Sequence, residues 1–171
     1  MKKYRILSLL LVIPILTSLL SLPAAALEDP VIYCNNAVLY DANYGEVLYD
    51  KGAYDKAYPA STTKVMTALL VLEAIESGQL TADTVVTAGE TRMQGIPSGA
   101  SYVISNIKLG EQLSVEELLY CLLLPSAADA ANVLAVAVDG TIEEFVAHMN
   151  RKAGELGCQG THFTNTSGVH S

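Results

Sequence analysis

The sequence has 171 residues, 51% of them hydrophobic, and a formal net charge of -8. This length suffices for one domain. The acidic balance argues against a nucleic-acid partner and against electrostatic docking on anionic lipid.

The first 26 residues have the organisation of a secretory signal peptide. Three basic residues precede a long apolar run, which ends in Pro23 and three alanines, Ala24–Ala26. An uncleaved membrane anchor is the alternative, but the proline and the alanines favour cleavage. We therefore predict a signal peptide over residues 1–26 and a mature chain, residues 27–171, that is secreted or held in the cell envelope, outside the cytoplasmic membrane.

A β-hairpin is predicted next. Apolar and aromatic residues flank the turn sequence "DANYG", residues 41–45, on both sides. Asp, Asn and Gly in this turn tolerate tight backbone angles. A loop with Pro59 then leads into a helix from about Ser61 to Ser77, which Gly78 ends. Because this helix is apolar almost all round, we expect it to be buried on most sides.

Residues 80–110 show no sustained helical period and predict short strands and loops. Three helices are expected after them. The first begins at a capping-box pattern and is closed by Pro125, the second ends near Gly140, and the third repeats the start signal and ends at Gly157. The two start signals are Ser114 with Glu117 and Thr141 with Glu144.

Two strands alone do not make a stable sheet. The predicted hairpin therefore lacks sheet partners in this sequence, and the last residues carry no terminal signature. We expect the chain to be the N-terminal part of a larger domain, poorly stable by itself.

The cysteines and histidines give no sign of a metal or redox centre. Three cysteines cannot all pair within the chain, and none has a C-x-x-C spacing. The three histidines do not cluster with other ligand types. We predict no disulfide framework, no metal and no cofactor.

The stretch "PASTTKVMTALL", residues 59–70, places Ser61 three residues before Lys64. On a helix these positions share a face. A serine hydroxyl becomes a good nucleophile only when a base takes its proton, and lysine can do so when its ammonium is destabilised by burial. The pattern S-x-x-K is common by chance, so an N-cap serine followed by an exposed lysine is the alternative at this point.

The flanking sequence resembles the serine D-alanyl-D-alanine carboxypeptidases, the low-molecular-mass penicillin-binding proteins. The similarity runs through "DANYGEVLYDKGAYDKAYPASTTKVMTALLVLE", "KLGEQLSVEELLYCLLLPSAADAANVLA" and "FVAHMNRKAGELGCQGTHFTNTSGVH", in this order. It implies the α/β fold of the penicillin-binding proteins and serine β-lactamase-like transpeptidases, here incomplete because C-terminal sheet strands are missing. It also implies that Ser61 is the acylated nucleophile and Lys64 its base.

The family's second motif is S-x-N, and this chain departs from it. Ser126 matches the serine, which in the family helps to pass the proton to the leaving amine, but Ala128 stands where the asparagine belongs. Asn132 lies four residues further on, and we do not expect it to substitute. Ser126 is also in position to cap the following helix, a role compatible with catalysis.

The family's third motif, K-T-G on a strand beside the cleft, does not occur in the 171 residues. The resemblance predicts it beyond Ser171, together with most of the central sheet. The segment of Asn165 and Gly168 corresponds to a family N-x-x-G turn, so these two residues are expected to shape the backbone.

The sequence thus predicts a secreted carboxypeptidase that removes the terminal D-alanine from peptidoglycan stem peptides ending in D-Ala-D-Ala. β-Lactam antibiotics would be its inhibitors, and a membrane anchor C-terminal to Ser171 is left open. Because of Ala128, a wall-binding pseudoenzyme is the alternative. A serine β-lactamase is a third and less favoured interpretation, because the flanking sequence matches the carboxypeptidases.

Overall fold

The computed structural model describes residues 30–98 and 104–169. The predicted signal peptide, residues 1–26, lies outside the described residues. The chain divides into two compact units, Met1–Ala53 and Tyr54–Ser171. Within the described ranges, no helix has both the length and the hydrophobicity needed to cross a membrane.

The first unit contains the predicted hairpin. Strand β1 (Ala37–Asp41) pairs antiparallel with strand β2 (Glu46–Lys51). The Asp41 carboxylate accepts hydrogen bonds from the backbone N–H groups of Asn43 and Tyr44, which closes the turn. Gly45 follows with φ +72°, a left-handed angle that glycine adopts without steric cost.

The hairpin presents apolar side chains to solvent. The register shifts by one residue after Leu39, a β-bulge that increases the local twist. More than half of the surface of each of five apolar residues is exposed: Val38, Leu39, Tyr40, Val47 and Leu48. Among the described residues, this two-stranded sheet thus leaves much of its apolar surface exposed.

The second unit is built from four helices and a small second sheet. The helices are α1 (Lys64–Glu76), α2 (Val115–Leu123), α3 (Ala128–Asp139) and α4 (Ile142–Glu155). The capping signals read from the sequence are present. Ser114 and Glu117 form a reciprocal capping box at α2, and the Thr141 hydroxyl accepts a hydrogen bond from the Glu144 N–H at α4.

The second sheet lies in the region predicted to hold short strands and loops. Strand β3 (Val85–Thr87) pairs antiparallel with β4 (Gln112–Ser114), and a 3-10 turn spans Glu90–Met93. The buried Asp129 carboxylate accepts hydrogen bonds from the Ser105 and Ile107 N–H groups, at 2.9 and 3.0 Å. These bonds attach the segment that begins at residue 104 to the first turn of α3.

Helix α3 forms the centre of this unit, because α1, α2 and α4 all pack against it. Small residues on α3 allow this close packing, and nine of its residues are buried. The largest fully buried apolar side chains come from all four helices: Leu70 and Val71, Val115, Leu118 and Leu122, Leu134, and Phe145 and Met149.

Helix α1 is buried on most sides, as predicted, but one side is exposed. Thr67, Leu70, Val71 and Ala74 are buried, but Val65 and Leu72 expose 66% and 53% of their surfaces. These two residues lie two turns apart on one side of the helix. Because α2, α3 and α4 pack against the rest of the helix, the expectation of burial on most sides is confirmed, and the Val65 side is the exposed one.

Candidate active site

The predicted nucleophile and base lie at the N-terminal end of α1. A 3-10 turn over Ala60–Thr63 carries Ser61 and continues into the helix at Lys64. The Lys64 ammonium nitrogen, Nζ, lies 3.1 Å from Ser61 Oγ, within hydrogen-bond distance. Ser61 is exposed, whereas Lys64 keeps only 2% of its surface accessible. The helical spacing thus brings together a reachable hydroxyl and a buried amine.

The electrostatics of Lys64 suit a base. Burial disfavours the charged ammonium and lowers the pKa of Lys64 below the ordinary value of 10.5. Its second hydrogen bond is to a neutral group, the backbone carbonyl of Ser167, at 2.9 Å. In the described part of the chain no carboxylate forms an ion pair with Lys64 that would counter the effect of burial. The alternative of an exposed lysine after an N-cap serine is therefore wrong.

Ser126 shares a cavity with this pair. The cavity has a volume of about 270 Å³, and Ser61, Lys64 and Ser126 line it with Thr62, Val65, Leu122 and Leu123. Three hydroxyls, an amine and three aliphatic side chains line it, so the cavity offers a ligand both hydrogen-bonding groups and apolar surface. All three predicted site residues contribute to one cavity.

The capping role considered for Ser126 is not what the structure shows. The N-cap of α3 is Ala127, and no side chain caps this helix. Ser126 has φ 63°, and Ala60, the neighbour of Ser61, has φ 49°. Left-handed angles at non-glycine residues cost energy and often occur at functional sites. Both are found beside the cavity.

Ala128 and Asn132 are the two positions that the sequence raised in connection with the family's asparagine. Ala128 is the first residue of α3 and is fully buried. The Asn132 amide nitrogen, Nδ2, donates to the carbonyls of Arg92 and Gln94, and its oxygen, Oδ1, accepts from the Thr166 hydroxyl. These hydrogen bonds occupy the Asn132 amide, and none of them goes to Ser61 or Lys64.

Sequence reasoning missed the contribution of the segment Asn165–Gly168, which we term the rear turn. Besides the Ser167 carbonyl bound by Lys64, it supplies the Thr166 carbonyl, which accepts a hydrogen bond from the Thr67 hydroxyl at 2.6 Å. The rear turn is about a hundred residues from α1 in sequence. A backbone carbonyl belongs to every residue, so no motif could have revealed these contacts.

The structure also supports the role expected of Asn165 and Gly168 in the turn. Asn165 Oδ1 accepts hydrogen bonds from the N–H groups of Ser167 and Gly168. Gly168 has φ +74°, and a Cβ added there would overlap the Ala60 carbonyl. The glycine therefore allows the rear turn to approach the backbone that carries Ser61.

The fold, together with the serine–lysine pair at the start of helix α1, indicates the class of protein to which the chain belongs. It has the α/β fold of the penicillin-binding proteins. The sequence profile described as D-alanyl-D-alanine carboxypeptidase matches residues 24–171. The chain belongs to the D-alanyl-D-alanine carboxypeptidase family.

Similar proteins come from several bacteria. The chain is 37% identical over 134 residues to the D-alanyl-D-alanine carboxypeptidase DacF of Bacillus subtilis, with 78% of this chain and 33% of DacF covered. Penicillin-binding protein 6B of Escherichia coli superposes with a TM-score of 0.77 at 31% identity, with 85% of this chain and 46% of that chain covered.

A further solved structure contains a β-lactam. Penicillin-binding protein D2 of Listeria monocytogenes, in its ampicillin-bound form, has a TM-score of 0.68 and 32% identity, with 84% of this chain and 56% of that chain covered. Across these comparisons the chain spans between about a third and a little over half of the length of the proteins that it matches.

Proposed function

We propose that the chain supplies the nucleophile and base of a serine-type D-Ala-D-Ala carboxypeptidase that acts on peptidoglycan stem peptides. The observation that carries this proposal is the 3.1 Å contact between Ser61 Oγ and the buried amine of Lys64. Family membership and the shared cavity with Ser126 support it.

Acylation would begin when neutral Lys64 accepts the Ser61 proton. Ser61 Oγ then attacks the carbonyl carbon of the penultimate D-alanine, and a tetrahedral intermediate forms. Its collapse breaks the peptide bond, and the leaving D-alanine amine takes a proton. Ser126 lines the same cavity and is the group we assign to pass this proton from Lys64.

Deacylation would return the enzyme to its starting state. Lys64 is again the base, now for a water molecule that attacks the acyl ester on Ser61. The ester bond breaks, the shortened peptide leaves as a carboxylate, and Ser61 regains its proton. General-base catalysis of this kind contributes roughly 10²- to 10⁴-fold to the rate.

β-Lactam antibiotics are the proposed inhibitors, because opening of their strained amide by Ser61 would give a comparable acyl ester. The ampicillin-bound relative supports this assignment. We also propose that residues 1–26 are a signal peptide, that residues 27–171 are the N-terminal part of the catalytic domain, and that the protein works outside the cytoplasmic membrane.

Covalent labelling of the complete protein by a fluorescent penicillin tests the nucleophile. We expect label on the wild type, no label on Ser61→Ala and unchanged labelling of Ser77→Ala. Ser77 is the matched control because it caps the other end of α1. An unlabelled wild type, or equal label on Ser61→Ala, would contradict the proposal.

Ala128 favours a second candidate, a wall-binding pseudoenzyme that holds stem peptides without cleaving them. The position that would carry an amide is a buried methyl group. If Ala128→Asn releases D-alanine from a D-Ala-D-Ala peptide and the wild type does not, the pseudoenzyme is supported. Turnover by the wild type rejects it, and rapid nitrocefin hydrolysis would instead indicate a β-lactamase.

A further inference from the structure

The rear turn lies directly against the residues that would perform acylation. Its Ser167 carbonyl accepts a hydrogen bond from Lys64 Nζ, and its Thr166 carbonyl accepts one from Thr67 on the next turn of α1. Thr166 and Ser167 are 1% and 5% exposed. The rear turn is thus a buried neighbour of Lys64, while Ser61 remains accessible.

Asn132 fixes the rear turn to the rest of the unit. Thr166 Oγ1 donates to Asn132 Oδ1 at 2.7 Å, in a contact between two buried side chains. The Asn132 amide nitrogen donates to the Arg92 and Gln94 carbonyls, at 3.1 and 2.9 Å. One side chain on α3 thus joins the rear turn to the region of the Glu90–Met93 turn.

We propose that Asn132 and Thr166 form a clamp that holds the Ser167 carbonyl against Lys64, and that both are positioning residues for the acylation of Ser61. A neutral amine has two N–H groups and one lone pair. When the Ser167 carbonyl accepts one N–H, the lone pair can be directed at the Ser61 hydroxyl. This inference rests on the proposed function of Ser61 and Lys64.

The clamp also controls the solvation of the base. If the rear turn loosens, water reaches Lys64, solvates the ammonium and raises the pKa of Lys64 towards its ordinary value. Lys64 has no ion-pair partner among the described residues. The buried carboxylate on α3, Asp129, accepts hydrogen bonds from the N–H groups of Ser105, Ile107 and Ala130. The clamp therefore acts on the pKa of Lys64 mainly by limiting the access of solvent to its amine.

Thr166→Val and Thr166→Ser form the matched pair that tests the clamp. Valine has a shape similar to threonine but cannot donate to Asn132, whereas serine keeps the hydroxyl. The first readout is the titration of Lys64 by NMR on the chain labelled with ¹³C at lysine Cε, assigned with Lys64→Met. We expect the Lys64 midpoint to rise in Thr166→Val and to stay unchanged in Thr166→Ser.

The second readout is the rate of penicillin labelling as a function of pH. A rise of one unit in the pKa of Lys64 lowers the neutral fraction, and hence the rate at neutral pH, about tenfold. We expect this loss, with the profile displaced to higher pH, in Thr166→Val alone. Lys152 on α4 serves as the internal control, because its titration should be the same in all variants.

An unchanged Lys64 midpoint in folded Thr166→Val overturns the clamp whether or not the chain is labelled. An unlabelled wild type with the predicted shift contradicts only the proposed function. If Thr166→Val does not fold, Asn132→Ala removes the same hydrogen bond from the α3 side and should raise the Lys64 midpoint in the same direction. An unchanged midpoint in that variant would also overturn the clamp.

Discussion

Lys64 is the residue at which stability and the proposed chemistry conflict. A buried ammonium is destabilising unless it is paired, and the hydrogen bonds of Lys64 to described residues go to a hydroxyl and a carbonyl. The same burial lowers its pKa and makes a neutral base available. Functional residues commonly carry such a cost, because an optimally stable side chain would not be reactive.

The substitution Lys64→Met tests how much the burial of the Lys64 ammonium destabilises the folded chain. The unfolded chain binds a proton at Lys64 more readily than the folded chain does, so the wild type should gain stability as the pH rises from 7 towards 10. Lys64→Met should lack this gain and lose roughly 10²-fold or more in penicillin labelling. Urea unfolding at the two pH values measures the difference.

The control for this experiment is Lys108→Met, which removes an exposed lysine outside the cavity. It should keep both the pH dependence and the labelling of the wild type. If Lys64→Met and Lys108→Met show the same change in stability between pH 7 and 10, Lys64 is not held with a lowered pKa.

At the scale of elements, the sequence correctly predicted structures that involve near neighbours, whereas it did not predict the contacts between distant segments. The capping box at Ser114 and Glu117, the stop at Gly140 and the Asp41 turn involve groups only a few residues apart. The contact of Lys64 with Ser167 links distant parts of the chain through a carbonyl. Caps and turns depend on residues that are neighbours in sequence, whereas the hydrogen bond between Lys64 and Ser167 depends on how α1 and the rear turn pack.

The glycine of the rear turn offers a test of that packing. Gly168 and Gly157 both have left-handed backbone angles, but an added Cβ would meet the Ala60 carbonyl at Gly168 and nothing within 4 Å at Gly157. Alanine at Gly157 should cost about 1–2 kcal/mol for the backbone angle alone. Gly168→Ala should cost clearly more and also slow the labelling of Ser61.

Chemical denaturation and labelling of the two alanine variants measure these effects. The comparison matters because both substitutions impose the same type of backbone strain. Equal losses of stability, with labelling retained in Gly168→Ala, would mean that the rear turn yields to the added methyl group and does not fix the backbone at Ala60.

At the scale of the whole molecule, burial is distributed unevenly. The unit from Tyr54 onward has a core contributed by four helices, whereas the hairpin leaves apolar side chains exposed. A two-stranded sheet without a covered face is marginally stable in water. The chain therefore contains a part with substantial packing energy and a part with little.

Hydrogen exchange should separate the two parts. Amides of β1 and β2 should exchange close to the rate of unstructured peptide, while amides of α3, the most enclosed helix, should be the most protected. Mass spectrometry after timed labelling of the chain gives both rates. Protection of the hairpin equal to that of α3 would contradict the expectation that the hairpin lacks stabilising partners.

The sequence by itself predicted the hairpin, the helices and the helical spacing of Ser61 and Lys64, because each follows from the identity and spacing of near neighbours. The similarity of its motifs indicated the family, which the profile match established. Only the tertiary structure decided that Lys64 is buried, that Ser126 lines its cavity and that Asn132 is engaged with Thr166. Burial and distance depend on which elements pack together, and this is a property of the folded chain as a whole.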